Sequence, residues 1–232
     1  NMKVNTLFSM QETGLNATYA RDKAVKKWCE SKRIVWKEHI NNGVTRGINN
    51  RNSWRKTWTS YMMQPIKSFE ASAASFTAAD NIGLAEEVLE PKKLEGIQAG
   101  GTKTGLAYLE SFLSQRHKKY QQSISKPEAA RTHCGRVSPY IAWGNLSVRY
   151  VWQRAKLAKA QGASGFQFNA FTSRLRWQAH FIQKFEMETR MEFESVNTGF
   201  RQLKKEVNTA FYVWVNGHVI GTMLSSSISP KT

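Results

Sequence analysis

The sequence predicts an α+β, multidomain chain, in which a piece of an α/β unit is followed by an all-helical region. Two observations lead to this fold class. A strand, a helix and a second strand are predicted in turn over residues 4–39, which is the order of a parallel α/β unit. Apolar residues then recur at helical spacing from Leu106 to Phe193. With 232 residues, 41% of them hydrophobic, the chain can build a substantial core.

The N-terminal elements come first. Val4–Met10 predicts a short strand, and residues 17–33 predict a helix because Tyr19 and Cys29 fall near one helical face. Ile34–His39 predicts a second strand. A parallel α/β unit usually carries more strands than two, so we expect that its N-terminal portion is missing from this chain.

The next segment connects the two regions. Residues 41–53 are rich in Asn and Gly and predict a loop. The stretch "WRKTWTSYMMQP" predicts a helix that ends before Pro65. From Lys67 to Lys93 the composition changes to Ala, Ser and acidic residues, which indicates a long connection with little regular structure.

Four helices are predicted in the second half: Leu106–Tyr120, Ser138–Trp143, Ser147–Gln161 and Phe168–Phe193. The stretch after them differs in character. Residues 210–224, "AFYVWVNGHVIGTML", predict a β-hairpin around an Asn-Gly turn.

Charge gives the first indication of function. The chain has 34 Lys and Arg against 17 Asp and Glu, a formal net charge of +17 and a pI of about 10.0. This excess favours a polyanionic partner such as nucleic acid.

Cys29 and Cys134 are too few for a disulfide framework, which predicts a reducing, cytoplasmic setting. No apolar run approaches the roughly 20 residues of a membrane span, and the histidines show no metal-ligand spacing.

The stretch "THCGRVSPYIAWGNLS", residues 132–147, resembles a helix start that binds phosphate. Ser138 is predicted as the N-cap and Pro139 as the first helical residue. Backbone amides at such a position, with Arg136 beside them, can hold a phosphate group. An ordinary capped helix explains the same residues equally well.

The long helix carries two stripes. Its first stripe recurs at three and four residues: Phe171, Leu175, Gln178, Ile182 and Phe185. A neighbouring stripe holds Arg174, Trp177 and Phe181, which could stack bases and bind phosphates. The spacing alone favours the other interpretation, a broad core face that includes Trp177 and has one arginine extending to solvent.

Taken together, these segments resemble the photolyase and cryptochrome family. The stretch "RVSPYIAWGNLS" is similar to the family's flavin-phosphate segment, and "RLRWQAHFIQKFEMETRMEF" is similar to its helix carrying "LxWREFY". The resemblance covers roughly residues 4–200, in the right order. It implies that residues 1–40 are a remnant of the α/β, Rossmann-like antenna domain and that residues 41–95 are an interdomain connection. Residues 96–200 would then be the first part of an all-α FAD-binding domain, and 201–232 a divergent tail.

The resemblance also implies a set of site residues. The positions that match the family's flavin contacts are Tyr120, Cys134, Gly135, Arg136, Val137, Ser138, Phe171, Arg174 and Gln178. Trp177 matches the tryptophan that packs against a flipped pyrimidine dimer in DNA. Four positions depart from the family pattern. Gly135 replaces a serine, Phe171 a tryptophan, Arg174 a glutamate and Gln178 an arginine.

The implied function is that of a deoxyribodipyrimidine photo-lyase, in which photoexcited FAD splits cyclobutane pyrimidine dimers of UV-damaged DNA. The cofactor supplies the chemistry, so no catalytic side chain and no metal are expected. A (6-4) lesion, a cryptochrome-type blue-light photoreceptor and a non-catalytic nucleic-acid-binding helical protein are the alternatives. We expect a monomer with an unassigned antenna pigment. Because the family continues beyond the matching region, we expect this chain alone to bind FAD weakly and to be inactive.

Overall fold

A computed structural model of the chain describes residues 4–67, 97–203 and 209–216. The chain divides into two compact units, Asn1–Thr189 and Arg190–Thr232. The predicted domain boundaries stay predictions. Most of the predicted connection over Lys67–Lys93 lies outside the described residues.

The predicted strand, helix and strand are present at the N-terminus. They are β1, Thr6–Met10; α1, Asn16–Ser31; and β2, Val35–His39. The strands pair in parallel, with Thr6 opposite Val35 and Met10 opposite His39. A right-handed crossover through a helix is the usual way to join such strands, which is why this order of elements predicted the pairing.

Helices form most of the rest of the first unit. They are α2, Trp54–Met63; α3, Thr102–Ser114; α4, Tyr120–Ser123; α5, Pro127–His133; α6, Ser138–Ala142; α7, Val148–Ala160; and α8, Gly165–Met187. A 3-10 helix, Arg116–Lys119, joins α3 to α4. The predicted helix to Tyr120 is therefore broken after Ser114.

One apolar cluster joins these helices. Its fully buried side chains include Trp58 of α2, Phe112 of α3, Val151 of α7 and Phe168 of α8. Residues 41–67, the described part of the predicted interdomain connection, therefore contribute to the helical core through Trp58. Truncating one of the large aromatic side chains to alanine would cost about 3–5 kcal/mol of unfolding free energy.

Three local predictions are corrected. Ser138 is the first helical residue of α6 rather than its cap; Val137 holds the cap position, and no side chain caps the helix. The long helix ends at Met187, where a 3-10 helix, Thr189–Glu192, follows. The first half of the predicted hairpin is α10, Thr209–Val215, whereas the second half lies outside the described residues.

The second unit contains α9, Thr198–Arg201, in addition to α10. In α9 the Asn197 side chain accepts a hydrogen bond from the Gly199 amide at 2.9 Å, which caps the helix. The Arg201 guanidinium lies 3.5 Å from the Glu194 carboxylate.

The buried stripe of α8 differs from the predicted one. Gln167 is buried, and from Phe168 the buried residues recur every three or four positions: Phe168, Phe171, Leu175, Ala179 and Gln183. Gln178 is exposed, and so is the neighbouring stripe of Arg174, Trp177 and Phe181. Trp177 is 49% exposed, so the interpretation of this tryptophan as a core residue is wrong.

Candidate functional site

Residues predicted from three separate parts of the sequence line one cavity beside α8. The cavity has a volume of about 320 Å³. Its lining includes every residue predicted to bind the cofactor: Tyr120, Cys134, Gly135, Arg136, Val137, Ser138, Phe171, Arg174 and Gln178. Ile124, Ile141 and Leu175 complete the wall. We call it the Phe171 cavity.

Arg116 holds the loop that forms one wall of the Phe171 cavity. Its guanidinium donates hydrogen bonds to the backbone oxygens of Cys134, of Gly135 at 3.2 Å and of Tyr108 at 2.6 Å. A planar guanidinium has enough donors to satisfy several carbonyls at once. Burial lowers the pKa of Arg116, yet an arginine stays charged at neutral pH. Arg116 therefore fixes the backbone of the 134–135 segment.

Gln98 fixes the next residue, Arg136. The Gln98 amide donates to the Arg136 backbone oxygen at 3.0 Å and accepts from the Arg136 Nε at 2.9 Å. Arg136 has a φ of +55°, a left-handed conformation that is unfavourable for a residue other than glycine. Such strain persists where neighbouring contacts impose it, and it is concentrated at functional sites.

The rings of Phe171 and Tyr120 line the Phe171 cavity, and the buried ring of Phe112 packs against both of them. The ring of Phe171 lies 4.6 Å from that of Phe112 and 5.7 Å from that of Tyr120, measured between centroids. Gly135 lies against the Phe171 ring, so a Cβ atom at Gly135 would lie 3.1 Å from Phe171 Cε2. A serine at this position, as in the family pattern, requires Phe171 to move by a few tenths of an ångström.

The ionisable groups that line the Phe171 cavity are Tyr120, Cys134 and two arginines, Arg136 and Arg174. Burial, followed by the effect of Cys134, raises the pKa of Tyr120 to about 12, so its hydroxyl stays protonated. Burial also raises the pKa of the Cys134 thiol. Arg174 is exposed at the cavity and has no ion pair or side-chain hydrogen bond among the described residues. An unpaired guanidinium favours an anionic group.

These residues fit part of a flavin dinucleotide. Arg136 and the Ser138 hydroxyl suit its phosphates, and the aromatic lining suits a planar ring. The predicted contribution of a helix N-terminus is small here, because α6 has only five residues and Pro139 lacks an amide hydrogen. A volume of about 320 Å³ is at the lower limit for drug-sized ligands. The cavity can therefore enclose only a portion of a dinucleotide.

Trp177 lines a different cavity, which has a volume of about 400 Å³. The other lining residues come from the start of α2 and from α8: Arg51, Asn52, Trp54, Arg55, Arg176 and His180. We call it the Trp177 cavity. It combines three guanidinium groups with two indole rings, a composition that suits a nucleic-acid partner.

His180 is at the centre of the aromatic group in the Trp177 cavity. Its ring lies 5.7 Å from that of Trp54 and 5.6 Å from that of Trp177, both edge to face. Arg51 Nη1 lies 3.1 Å from His180 Nε2, which accepts the hydrogen bond when it is unprotonated. Burial, with a further contribution from Arg51 and then Lys184, lowers the pKa of His180 and keeps this contact intact at neutral pH.

The loop before α2 is held on α8 by Gln183. This buried side chain accepts from the Thr45 amide and donates to the Thr45 oxygen, each at 2.8 Å. Glu186 accepts a weaker bond from the Gly47 amide at 3.3 Å. These bonds fix the position from which Arg51 and Arg55 reach the Trp177 cavity.

Sequence patterns did not indicate Arg116, Gln98, Arg51, Arg55 or Arg176. Arg116, Gln98 and Arg51 bind groups distant in sequence, whereas Arg55 and Arg176 come together only in the folded cavity. Isolated arginines are also common in a chain of this charge. Of these residues, only Arg176 could have been noticed in the sequence, because it directly precedes Trp177, which was already a candidate.

Metal and membrane features are absent from the part of the chain that the structure describes. No group of three or more His, Cys, Asp or Glu side chains within residues 4–67, 97–203 and 209–216 could hold a metal ion. No helix among those residues is long and apolar enough to cross a bilayer.

Similarity to known proteins is found at the level of structure. No protein-family model matches the sequence, and no curated protein matches it significantly. The chain is similar to a bacterial class III photolyase from Agrobacterium tumefaciens, with a TM-score of 0.64 and 16% identity. It is also similar to a cryptochrome from Synechocystis sp. PCC6803, with a TM-score of 0.66 and 17% identity.

Both similarities cover 92% of this chain, which spans 47% of the photolyase and 48% of the cryptochrome. The chain therefore corresponds to about half the length of the structures it matches. The expected resemblance to photolyases and cryptochromes is confirmed as a shared fold.

Proposed function

We propose that this chain, which has the photolyase and cryptochrome fold, is the part of a light-driven DNA repair flavoprotein that binds FAD and the damaged strand. The reaction is the splitting of cyclobutane pyrimidine dimers. The observation that supports the proposal most strongly is the shared lining of the Phe171 cavity. Segments around Cys134 and Phe171, which are distant in sequence and both match flavin contacts of the family, form one cavity.

The residues of the Phe171 cavity would bind FAD through complementary charge and shape. Arg136, Arg174 and the Ser138 hydroxyl would contact anionic and polar groups. Phe171 and Leu175 would exclude water from one face of the bound group. FAD, when bound and excited by light, supplies the electron that splits the dimer. The protein contributes by holding both partners in place.

Trp177 would contact the damaged base pair. A dimer must leave the duplex to be repaired, which costs a few kcal/mol and less for a poorly stacked lesion. Stacking on an aromatic side chain recovers about 1–3 kcal/mol per base. The exposed ring of Trp177 and the arginines around it provide a surface on which an extruded base can lie.

Two alternatives remain. A blue-light photoreceptor of the cryptochrome type would share the fold, as the similarity to the Synechocystis protein indicates. A non-catalytic nucleic-acid-binding protein would need only the Trp177 cavity and the basic charge. The arginine-rich surface favours a nucleic-acid role over signalling. We further propose a cytoplasmic protein, because both cysteines are free thiols. We also propose that it is a monomer.

Two titrations in the dark test the proposal. FAD fluorescence is followed on addition of the chain, and binding of a thymine-dimer oligonucleotide is compared with that of its undamaged counterpart. We expect weak, saturable FAD binding and a preference for the dimer that the Trp177→Ala variant loses.

Each other outcome selects an alternative. FAD binding without a lesion preference favours the photoreceptor. Lesion-independent oligonucleotide binding without FAD binding favours the non-catalytic protein. No binding of either ligand overturns the proposal.

A further inference from the structure

We propose that Gln98 is a positioning residue for Arg136, and that it holds this arginine ready to bind a phosphate group of the flavin nucleotide. Gln98 lies in the segment before α3 and is not part of the lining of the Phe171 cavity, whereas Arg136 is. Gln98 would therefore act through Arg136, and the identity of the ligand rests on the proposed function. Three features support this role: the geometry of the Gln98 amide, the backbone of Arg136 and the charge of its guanidinium.

The first feature is the fixed orientation of the Gln98 amide. Its oxygen accepts a hydrogen bond from Arg136 Nε at 2.9 Å, and its nitrogen donates to the Arg136 backbone oxygen at 3.0 Å. A guanidinium can only donate and a carbonyl can only accept, so turning the amide over would break both hydrogen bonds. The same nitrogen lies 3.4 Å from the Tyr140 hydroxyl, which donates to the Ala99 backbone oxygen at 2.8 Å. Gln98 therefore holds the side chain and the main chain of Arg136 in one arrangement.

The second feature is the backbone conformation that Gln98 stabilises. Arg136 has the left-handed φ of +55°, which a residue other than glycine keeps only where its surroundings impose it. Arg116 donates to the backbone oxygens of Cys134 and Gly135, so it holds the chain up to Arg136. Gln98 donates to the backbone oxygen of Arg136 itself. Loss of Gln98 would therefore free Arg136 to leave the strained conformation, while Arg116 keeps the preceding wall of the cavity in place.

The third feature is the charge that Gln98 leaves on Arg136. Arg136 Nε is bound to a neutral amide, and Arg136 has no ion pair among the residues that the structure describes. The Tyr108 ring, whose centroid lies 5.9 Å from Arg136 Cζ, attracts the cation without neutralising it. A carboxylate could hold the same Nε atom but would cancel the positive charge. An amide fixes Arg136 and leaves its charge available to a ligand.

The composition of the Phe171 cavity indicates which part of the ligand Arg136 would contact. Arg136 and Arg174 are its two charged residues, and no acidic side chain is found among the described residues that line it. Guanidinium groups bind phosphate oxygens through charge-assisted hydrogen bonds, and an uncharged ring gains little from them. We therefore expect Gln98 to affect the binding of flavins that carry phosphate groups and to leave the binding of uncharged riboflavin unaltered.

The test compares FAD with riboflavin, which has the same isoalloxazine ring and no phosphate. Flavin fluorescence is measured as the chain is added, for the wild type, Gln98→Glu and Gln161→Glu. Gln161 is the matched control, since it is exposed and lies outside the Phe171 cavity. Gln98→Glu should weaken FAD binding about tenfold, because the carboxylate neutralises the Arg136 guanidinium and repels the Arg136 backbone oxygen. The affinity for riboflavin should stay within about twofold of wild type.

Two further variants separate positioning from a structural role. In the Arg136→Gln background, Gln98→Glu should cause no additional loss of FAD affinity, because Gln98 acts through Arg136. Gln98→Leu removes the amide without adding a charge, and it should weaken FAD binding about threefold and leave riboflavin binding unaltered. This variant keeps the role of Gln98 testable if circular dichroism shows that the charged variant does not fold.

Three outcomes would overturn the role of Gln98. They are equal losses of affinity for FAD and riboflavin in the Gln98 variants, FAD affinity in both Gln98 variants equal to that of Gln161→Glu, and a further loss in the double variant. Each of these leaves the proposed FAD binding intact. Absence of flavin binding by the wild-type chain would instead contradict the proposed function, and the role of Gln98 with it.

Discussion

The Phe171 cavity and the Trp177 cavity lie along the same helix, α8, but they use their arginines differently. Around the Phe171 cavity, Arg116 and Arg136 are bound to backbone and amide groups of the protein. Around the Trp177 cavity, Arg55 and Arg176 are unpaired among the described residues. The first pair holds the wall of its cavity, whereas the second pair, like Arg174 at the Phe171 cavity, is available to a ligand.

This difference indicates which variants change folding and which change binding. Removing a bound arginine leaves protein acceptors unsatisfied, so the loss appears in the free energy of unfolding. Removing an unpaired arginine leaves the fold intact, so the loss appears in affinity for an anion. The following predictions, ordered by expected effect, test that distinction.

Arg116→Met should lower the free energy of unfolding by about 3 kcal/mol, because the backbone oxygens of Tyr108, Cys134 and Gly135 lose their common donor. Urea denaturation followed by tryptophan fluorescence measures the change. Arg131→Met, the same replacement at an exposed site, should stay within about 0.5 kcal/mol of wild type. Equal losses in the two variants would show that Arg116 does not hold the loop.

Gln183→Leu should cost about 2 kcal/mol, since the Thr45 amide and carbonyl both lose their partner inside the protein. Gln178→Leu is the matched control, because Gln178 is exposed on the same helix. Amide hydrogen exchange should show faster exchange of the Thr45 amide in Gln183→Leu only. Unchanged protection at Thr45 would contradict the assigned role of Gln183.

Gly135→Ala should cost about 1 kcal/mol by forcing the Phe171 ring to shift. Gly100→Ala is the control, because a Cβ atom there meets nothing within 4 Å. Thermal unfolding of the two variants measures the difference. If Gly135→Ala is as stable as Gly100→Ala, the close contact with Phe171 does not constrain this position.

Glu186→Gln should change the pH dependence of stability. Burial, opposed by the Gly47 amide, raises the pKa of Glu186 above its usual 4.5. The stability associated with the protonated carboxyl is therefore present below pH 4.5 and is lost as the pH rises through the raised pKa. Glutamine stays neutral, so the variant should match wild type at pH 4 and exceed it at pH 7. An equal difference at both pH values would contradict this direction.

Local patterns predicted most of the elements, and the resemblance to photolyases and cryptochromes implied the residues that line one of the two cavities. The strand, helix and strand of the N-terminus follow from a few residues of alternating or helical spacing, and their parallel pairing is confirmed. The lining of the Phe171 cavity could be anticipated because its residues occur in short contiguous segments. The departures at Gly135 and Phe171 were also visible, although their mutual contact was not.

The remaining features depend on contacts between distant residues. Trp177 and Phe171 lie on the same helix, and the two cavities they line are visible only in the fold, where Trp54 of α2 contacts His180 of α8. Gln183 looked like an ordinary polar residue, yet the structure buries it against Thr45. The hairpin prediction over 210–224 failed in its first half because apolar and aromatic residues there suit a strand as well as the helix that forms.

The most direct test compares Arg174→Glu with Arg176→Glu, two charge reversals of equal size placed two residues apart on α8. Affinity for FAD and for a thymine-dimer oligonucleotide is measured for both variants by fluorescence. Arg174→Glu should weaken FAD binding about tenfold or more with little effect on the oligonucleotide, and Arg176→Glu should do the opposite. If both variants lower the two affinities equally, the cavities do not have separate ligands, and the proposed assignment is contradicted.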